Sequence, residues 1–232
     1  MLITFSGLDG SGKSTLIRSA RAALEARGAD LVVRHMTYDV GIFALAIGAR
    51  NLLRRAIGKS GGERRVSSEP RRLQSRWQRL RYAMVWNKSL RRMIYLADLA
   101  IFAGYRLYAE RLRGRVLIMD RYFYDTLVDV TGPGGPGWTR ALAWITPAPD
   151  LALLLDTGPE EAFARKGEYS IEYLARRWAA YQQVFSGVPS AVVLDNRDLA
   201  RATGEIARLA VERGLPIAVG VTGTSSMHTG GC

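Results

Sequence analysis

One stretch limits the folds open to this chain more than any other. Directly after the short apolar run MLITF, positions 7 to 14 read Gly7-Leu8-Asp9-Gly10-Ser11-Gly12-Lys13-Ser14, which fits the spacing G-x-x-x-x-G-K-[ST]. Thr15 follows, and Leu16, Ile17, Ala20, Ala23 and Leu24 then recur at helical spacing up to Gly28. A strand that passes through a glycine loop into a helix is the setting of a phosphate-binding P-loop. Glycines let the backbone wrap closely around phosphate oxygens. Successive amide N–H groups then point inward, and the helix N-terminus adds its positive end. Lys13 offers a mobile positive charge to the β- and γ-phosphates, and the Ser14 hydroxyl is a ligand for magnesium. Gly7, Asp9, Gly10, Ser11, Gly12, Lys13, Ser14 and Thr15 are therefore the candidate nucleotide-binding residues.

The rest of the chain reads as an α/β unit. DLVVRHM, beginning at Asp30, is expected to be a second strand, which completes a βαβ unit and predicts a parallel sheet. Three further apolar runs end in aspartate, at Asp120, Asp156 and Asp195. None alternates strictly, as strands covered on both faces need not. Ligands in such sheets bind at the carboxyl ends of the strands. A helix with Ser89 as N-cap is expected to carry Ile94, Ala97, Ile101, Tyr105, Tyr108 and Leu112 and to end at Gly114. TGPGGPGW, from Thr131, reads as a loop or hinge.

One domain over 1–214 accommodates all of this, with 215–232 a C-terminal extension flexible at its end. The formal charge of +12 favours anionic partners. Its centre is the arginine-rich stretch 50–92, a basic and partly mobile insertion opposed there only by Glu63 and Glu69. Trp77, Tyr82 and Trp86 interleave with its arginines, so contact with nucleic acid or an anionic membrane is one reading. A solvated basic face is the plainer one. No apolar run is long enough to span a bilayer, and the start lacks the charged and apolar regions of a secretory leader. With Cys232 the sole cysteine, a cytoplasmic location is expected. His35 and His228 show no metal-ligand spacing.

Two more constellations bear on phosphate chemistry. RVLIMDRYFYD places Asp120 and Arg121 at a strand end, where a carboxylate can organise magnesium and an arginine can grip phosphate with two parallel hydrogen bonds. In DTGPEEAFARKGEYS, Pro159-Glu160 starts a helix that Arg165-Lys166-Gly167-Glu168 breaks. A cationic flap over the transferring phosphates, at about 160–172, would look like this.

Together these pieces resemble the thymidylate kinase family of P-loop nucleoside monophosphate kinases. The resemblance rests on GLDGSGKST, LADLAIFAGYRLYAERLRGRVLIMDRY, LLLDTGPEEAFARKGE and VVLDNRD, in that order along residues 1–200. It implies a P-loop kinase fold: a five-stranded parallel sheet in the order 2-3-1-4-5, helices on both faces, and a LID over the phosphates. It implies ATP and Mg²⁺ as cofactors and often a homodimer, here through the helix carrying Ile94 to Leu112. By the same resemblance Asp9 bonds the sugar 3′-hydroxyl of the acceptor, Asp120 helps organise Mg²⁺ and Arg121 holds the acceptor phosphate. Arg165 is the LID arginine of the branch that lacks a P-loop arginine, since that position here is Gly10. Asn196 and Arg197 lie where the family contacts adenine.

The acceptor half departs from the family pattern. The Asp-Arg pair on the helix before the D-R-Y strand, whose arginine reads thymine, is Asp98-Leu99 here. The Ser-Ser and Tyr-Gln after D-R-Y are Asp125-Thr126 and Asp129-Val130, and the second strand leads into Arg34 without a proline. The candidate acceptor residues are thus Asp9, Arg34, Asp98, Arg121, Tyr122 and Asp125, with Asp125 either a contact to a hydroxyl-rich acceptor, a general base, or a helix-start acid. Asp129 reads as a surface acid, and Tyr122 and Tyr124 stack on a ring or belong to the core. Three functions stay open: transfer from ATP to a nucleoside monophosphate, dTMP foremost; the same chemistry on a nucleoside or other small hydroxyl or phosphate acceptor; and a non-catalytic P-loop module binding nucleic acid or membrane through 50–92.

Overall fold

The computed structural model describes residues 1–36, 41, 88–130 and 136–215. In chain order these form β1 (Leu2–Ser6), α1 (Lys13–Glu25), β2 (Leu31–His35), α2 (Lys88–Leu107), β3 (Val116–Asp120), α3 (Phe123–Val130), α4 (Pro136–Ile145), β4 (Leu151–Leu155), α5 (Pro159–Lys166), α6 (Ile171–Phe185), β5 (Ala191–Leu194) and α7 (Leu199–Glu212). A π-helical turn, Tyr108–Leu112, extends α2.

The five strands pair in the order β2-β3-β1-β4-β5, all parallel, as the resemblance implies. Register sets which side chains face which layer. Leu117, Met119, Ala152 and Leu154 meet Tyr95 and Phe102 of α2, Phe123 and Leu127 of α3, and Tyr181 and Phe185 of α6. Their strand neighbours Ile3, Phe5, Val116, Ile118, Leu151 and Leu153 face α1 and α7 through Leu16, Leu24, Ala202 and Ile206. Covered on both faces, β4 buries five apolar residues in a row, which explains the missing alternation.

Three sequence expectations shift. Ser89 lies inside α2 rather than at its cap, because the helix begins by Lys88. The seam that α2 turns inward is Tyr95, Leu99, Phe102, Tyr105 and Ala109, of which only Tyr105 belonged to the expected stripe. The expected stripe is displaced by one position, about 100° of helix rotation, so Tyr108 and Leu112 face outward with Met93, Leu96 and Leu107. Pro136-Gly137-Trp138, read as loop, opens α4, where proline suits the first helical position. The insertion 50–92, apart from the backbone of α2 from Lys88, and the extension beyond Leu215 lie outside the described residues.

Candidate functional site

The carboxyl ends of β1, β3 and β4 converge on the loop between β1 and α1. Gly10 and Gly12 have φ of 89° and 83°, a region L side chains enter at a cost. Gly12 caps α1 without a side chain, so the helix N-terminus is not blocked by one. A Cβ on Gly10 would stand 2.6 Å from the carbonyl oxygen of Ala162 in α5. Only glycine lets loop and helix meet this closely.

Lys13 is folded back into the loop. Its Nζ donates to the carbonyls of Gly7 at 2.9 Å and Leu8 at 2.6 Å, and to Ser11 Oγ at 3.3 Å. Burial lowers its pKa to about 8, with the Arg121 charge adding to the effect and Asp125, Asp9 and Asp120 opposing it. The sign follows from proton binding. Between pH 8 and 10.5 the unfolded chain holds a proton that the folded one has released, so stability rises with pH in that window. Wild type compared with Lys13→Met should gain on the order of 1–3 kcal/mol between pH 7.5 and 10, by urea denaturation at each pH. A flat difference would mean that the ammonium is not desolvated.

Arg121 stands opposite. Among the described residues it is the one non-glycine with positive φ, 65°, at the point where β3 ends. Its N–H donates to the Phe5 carbonyl at 3.0 Å, which anchors this turn to β1. Its Nη2 donates to Asp9 in the loop, and Nη1 lies 3.8 Å from Asp125. Asp125 is buried and accepts from the Ser6 hydroxyl at 2.6 Å, the Tyr122 N–H at 2.9 Å and the Tyr181 hydroxyl at 2.6 Å. Asp120 sits at the end of β3, level with Phe5 of β1 and His35 of β2.

The flap region is helical. α5 starts at Pro159 and stops at Gly167, whose φ of 62° makes the usual left-handed exit. Ser170 caps α6 by accepting from the Tyr173 N–H. Arg165 donates to Glu161 at 2.5 Å, and its Nη1 would lie 3.6 Å from a Cβ on Gly12. Asn196 donates from Nδ2 to the Ser11 carbonyl and accepts from Thr157 at 3.2 Å, so it stitches the end of β5 to the loop. Arg197 is mostly exposed and 3.7 Å from Glu161. Ser14 and Thr15 are exposed on the first turn of α1.

The expected acceptor residues divide. Asp9, Arg121 and Asp125 come together. Arg34 is held on α2, donating from Nε to Tyr105 at 3.0 Å, and Asp98 lies against Gly41, where a Cβ would meet its Oδ1 at 3.0 Å. Tyr122, expected at the acceptor, is instead a core residue with no exposed surface. Its hydroxyl donates to the Pro147 carbonyl at 2.6 Å, and its ring packs edge-on against Phe102, Phe123 and Tyr124. A tyrosine just past a strand end packs back onto the sheet when the next residues turn into a helix, as α3 does. Tyr124 is likewise core. Asp129 pairs with Arg177, whose guanidinium lies over the Tyr181 ring. Ser6, Tyr181 and Arg177 were not foreseen. The only signal they carried is a polar atom at an otherwise apolar position.

A parallel sheet in the order 2-3-1-4-5, whose central strand runs through a glycine loop into a helix, is the P-loop kinase fold. The chain matches no protein-family model. It is 31% identical over 164 residues, 68% of either chain, to a protein of Bifidobacterium longum strain DJO10A named thymidylate kinase, and the protein of the same name in strain NCC 2705 gives the same figures. It is 28% identical over 178 residues, 74% of either chain, to a Thermococcus onnurineus protein named "Probable thymidylate kinase". The chain belongs to the thymidylate kinase-like family.

Proposed function

We propose that the protein is a nucleotide kinase that moves the γ-phosphoryl group of ATP onto a nucleoside monophosphate, with dTMP the leading acceptor. The observation that carries this reading is the pairing, on one loop, of the Lys13 cradle with the Asp9–Arg121 bridge. One half suits a triphosphate, the other a sugar phosphate. Family membership supports the same assignment.

In this proposal the loop amides and Lys13 hold the donor phosphates, and Asn196 and Arg197 border the adenine. Ser14 and Asp120 are hard oxygen donors of the kind magnesium takes, its other ligands being phosphate oxygens and water. When bound, the metal neutralises charge on the donor phosphates. Arg121 fixes the acceptor phosphate and Asp9 the sugar hydroxyl. Arg165 lies close enough to Gly12 to reach the transferring group from α5. An acceptor phosphate oxygen attacks the γ-phosphorus as the bond to the β-phosphate oxygen breaks, releasing ADP. Such a reaction needs positioning and charge neutralisation more than covalent chemistry.

A second reading keeps the chemistry and changes the acceptor. It rests on Leu99, which packs against the core beneath α2 and offers no donor to a base carbonyl. A site built to hydrogen-bond its substrate discriminates far more strongly than one without such donors. ADP formation from Mg·ATP, measured with each nucleoside monophosphate, each nucleoside and no acceptor, decides. Turnover highest with dTMP upholds the first reading. Turnover highest with another nucleoside monophosphate keeps the first reading and displaces dTMP, and turnover highest with a nucleoside upholds the second. ATP binding without turnover of any nucleotide or nucleoside overturns the first reading and directs the second to another small acceptor. The third reading, binding through 50–92, concerns residues outside those described; among the described residues no helix is long and apolar enough to cross a membrane.

A further inference from the structure

Asp125 was open to three roles: acceptor contact, general base or helix-start acid. Its surroundings argue against the first two. The side chain is 4% exposed. Oδ2 accepts from the Ser6 hydroxyl and the Tyr122 N–H, and Oδ1 from the Tyr181 hydroxyl, with Arg121 Nη1 at 3.8 Å. A general base needs free lone pairs within reach of the proton it takes. Here both oxygens already accept from protein donors, and the buried group is turned away from where an acceptor would arrive.

We propose that Asp125, held by Ser6 and Tyr181, is the positioning residue for Arg121. The inference rests on the kinase reading above for what Arg121 grips. Three elements meet at this carboxylate: β1 through Ser6, α3 through Asp125 itself and α6 through Tyr181. All three side chains are buried, so the carboxylate has a fixed place. Arg121 spans from it to Asp9, one guanidinium nitrogen toward each acid. Asp9 belongs to the loop and is partly exposed, so an arriving acceptor can compete for it. Asp125 is the end that an acceptor cannot reach. It holds Arg121 in place while the Asp9 end exchanges partners. Its other donor, Tyr181, lies on the helix that follows the flap, and Arg177 stacks on the same ring. A line of alternating groups, Asp9, Arg121, Asp125, Tyr181, Arg177 and Asp129, thus runs from the loop to the outer end of α3.

The test is a double-mutant cycle with Asp125→Asn, Arg121→Ala and the pair, measured on the acceptor with highest turnover. Asp125→Asn keeps the shape and should lower kcat about 10- to 100-fold, with KM for ATP changed less than about twofold. In the Arg121→Ala background it should cost nothing further. Losses that multiply would mean that Asp125 acts on its own, as a contact, a base or a fold element, and would overturn the proposal. So would unaltered turnover in Asp125→Asn. Tyr181→Phe, which removes one donor and leaves the carboxylate, serves if the Asn variant does not fold. It should show the same pattern with a smaller loss, and wild-type turnover there would equally count against the idea. A second readout needs no activity. In arginine-labelled protein the Arg121 guanidinium should rotate measurably faster by NMR in Asp125→Asn than in wild type, with the Asp9 contact left in both. Equal restriction in both overturns the positioning claim. A wild-type protein without acceptor-dependent turnover strikes the kinase reading instead, and the NMR comparison still decides this one.

Discussion

Lys13→Met should lower phosphoryl transfer by about 10³-fold or more while the protein remains folded. A preorganised charge aimed at a transferring phosphoryl group contributes on that scale, because the site is partly desolvated and no reorganisation is needed at the moment of reaction. The Lys13 ammonium lies inside the loop, on the carbonyls of Gly7 and Leu8. Methionine matches its length and fills the same space without the charge. The protein loses three donated hydrogen bonds but no longer buries an ammonium whose pKa has fallen to about 8. The two effects oppose each other, so the change in stability is small beside the change in rate. ATP binding by calorimetry, ADP formation with the best acceptor and circular dichroism together check this. Wild-type turnover in a folded Lys13→Met protein would mean that the loop does not hold the transferred group. Alkaline pH should partly mimic the substitution. As Lys13 loses its proton near pH 8, ATP affinity falls while the apo protein becomes more stable.

The sheet was legible because its signals are local. Each strand is a short apolar run, and the loop announces the first crossover. The order 2-3-1-4-5 came from the family resemblance, and the pairing bears it out. The glycine loop was legible for a related reason: Gly7 to Ser14 is one continuous stretch. The cluster around Arg121 was harder because it is assembled from separated segments. Asp125 and Tyr181 are 56 positions apart, and Arg177 and Asp129 are 48 apart. Nothing in either local sequence says that these side chains meet. Tyr122, open between acceptor contact and core, is adjacent to Arg121, yet the left-handed turn at Arg121 leaves the arginine partly exposed beside the loop and the tyrosine buried in the core. In α2 periodicity alone left the register open by one position. Aromatic residues Tyr95 and Phe102 bury more surface than the Ile94 and Ile101 alternative, and they set which face turned inward.

Gly10→Ala should reduce kcat at least about 100-fold, and Gly10→Arg should do no better. A misplacement of about 1 Å in a positioning-dependent site is enough for a loss of this size. The obstacle is backbone. The new Cβ would sit 2.6 Å from the Ala162 carbonyl oxygen and 3.4 Å from the Lys166 Cβ, so α5 must move off the loop. The φ of 89° adds strain, and the two together should cost about 1–3 kcal/mol of stability. An arginine at this position would have the reach to touch phosphate, which makes Gly10→Arg the informative case. If the site could accept a loop arginine, that variant would offset the loss in Arg165→Ala. With α5 resting on Gly10, the side chain has no room, and Gly10→Arg/Arg165→Ala should be as inactive as either change alone. The geometry thereby makes α5, through Arg165, the segment from which a charge lies beside the loop. Gly204→Ala in α7 is the control: a Cβ there meets nothing within 4 Å, and it should stabilise the helix by about 0.5–1 kcal/mol with turnover unchanged. Recovery of Arg165→Ala activity by Gly10→Arg would show instead that α5 lifts from the loop during turnover, and that either segment can supply the arginine.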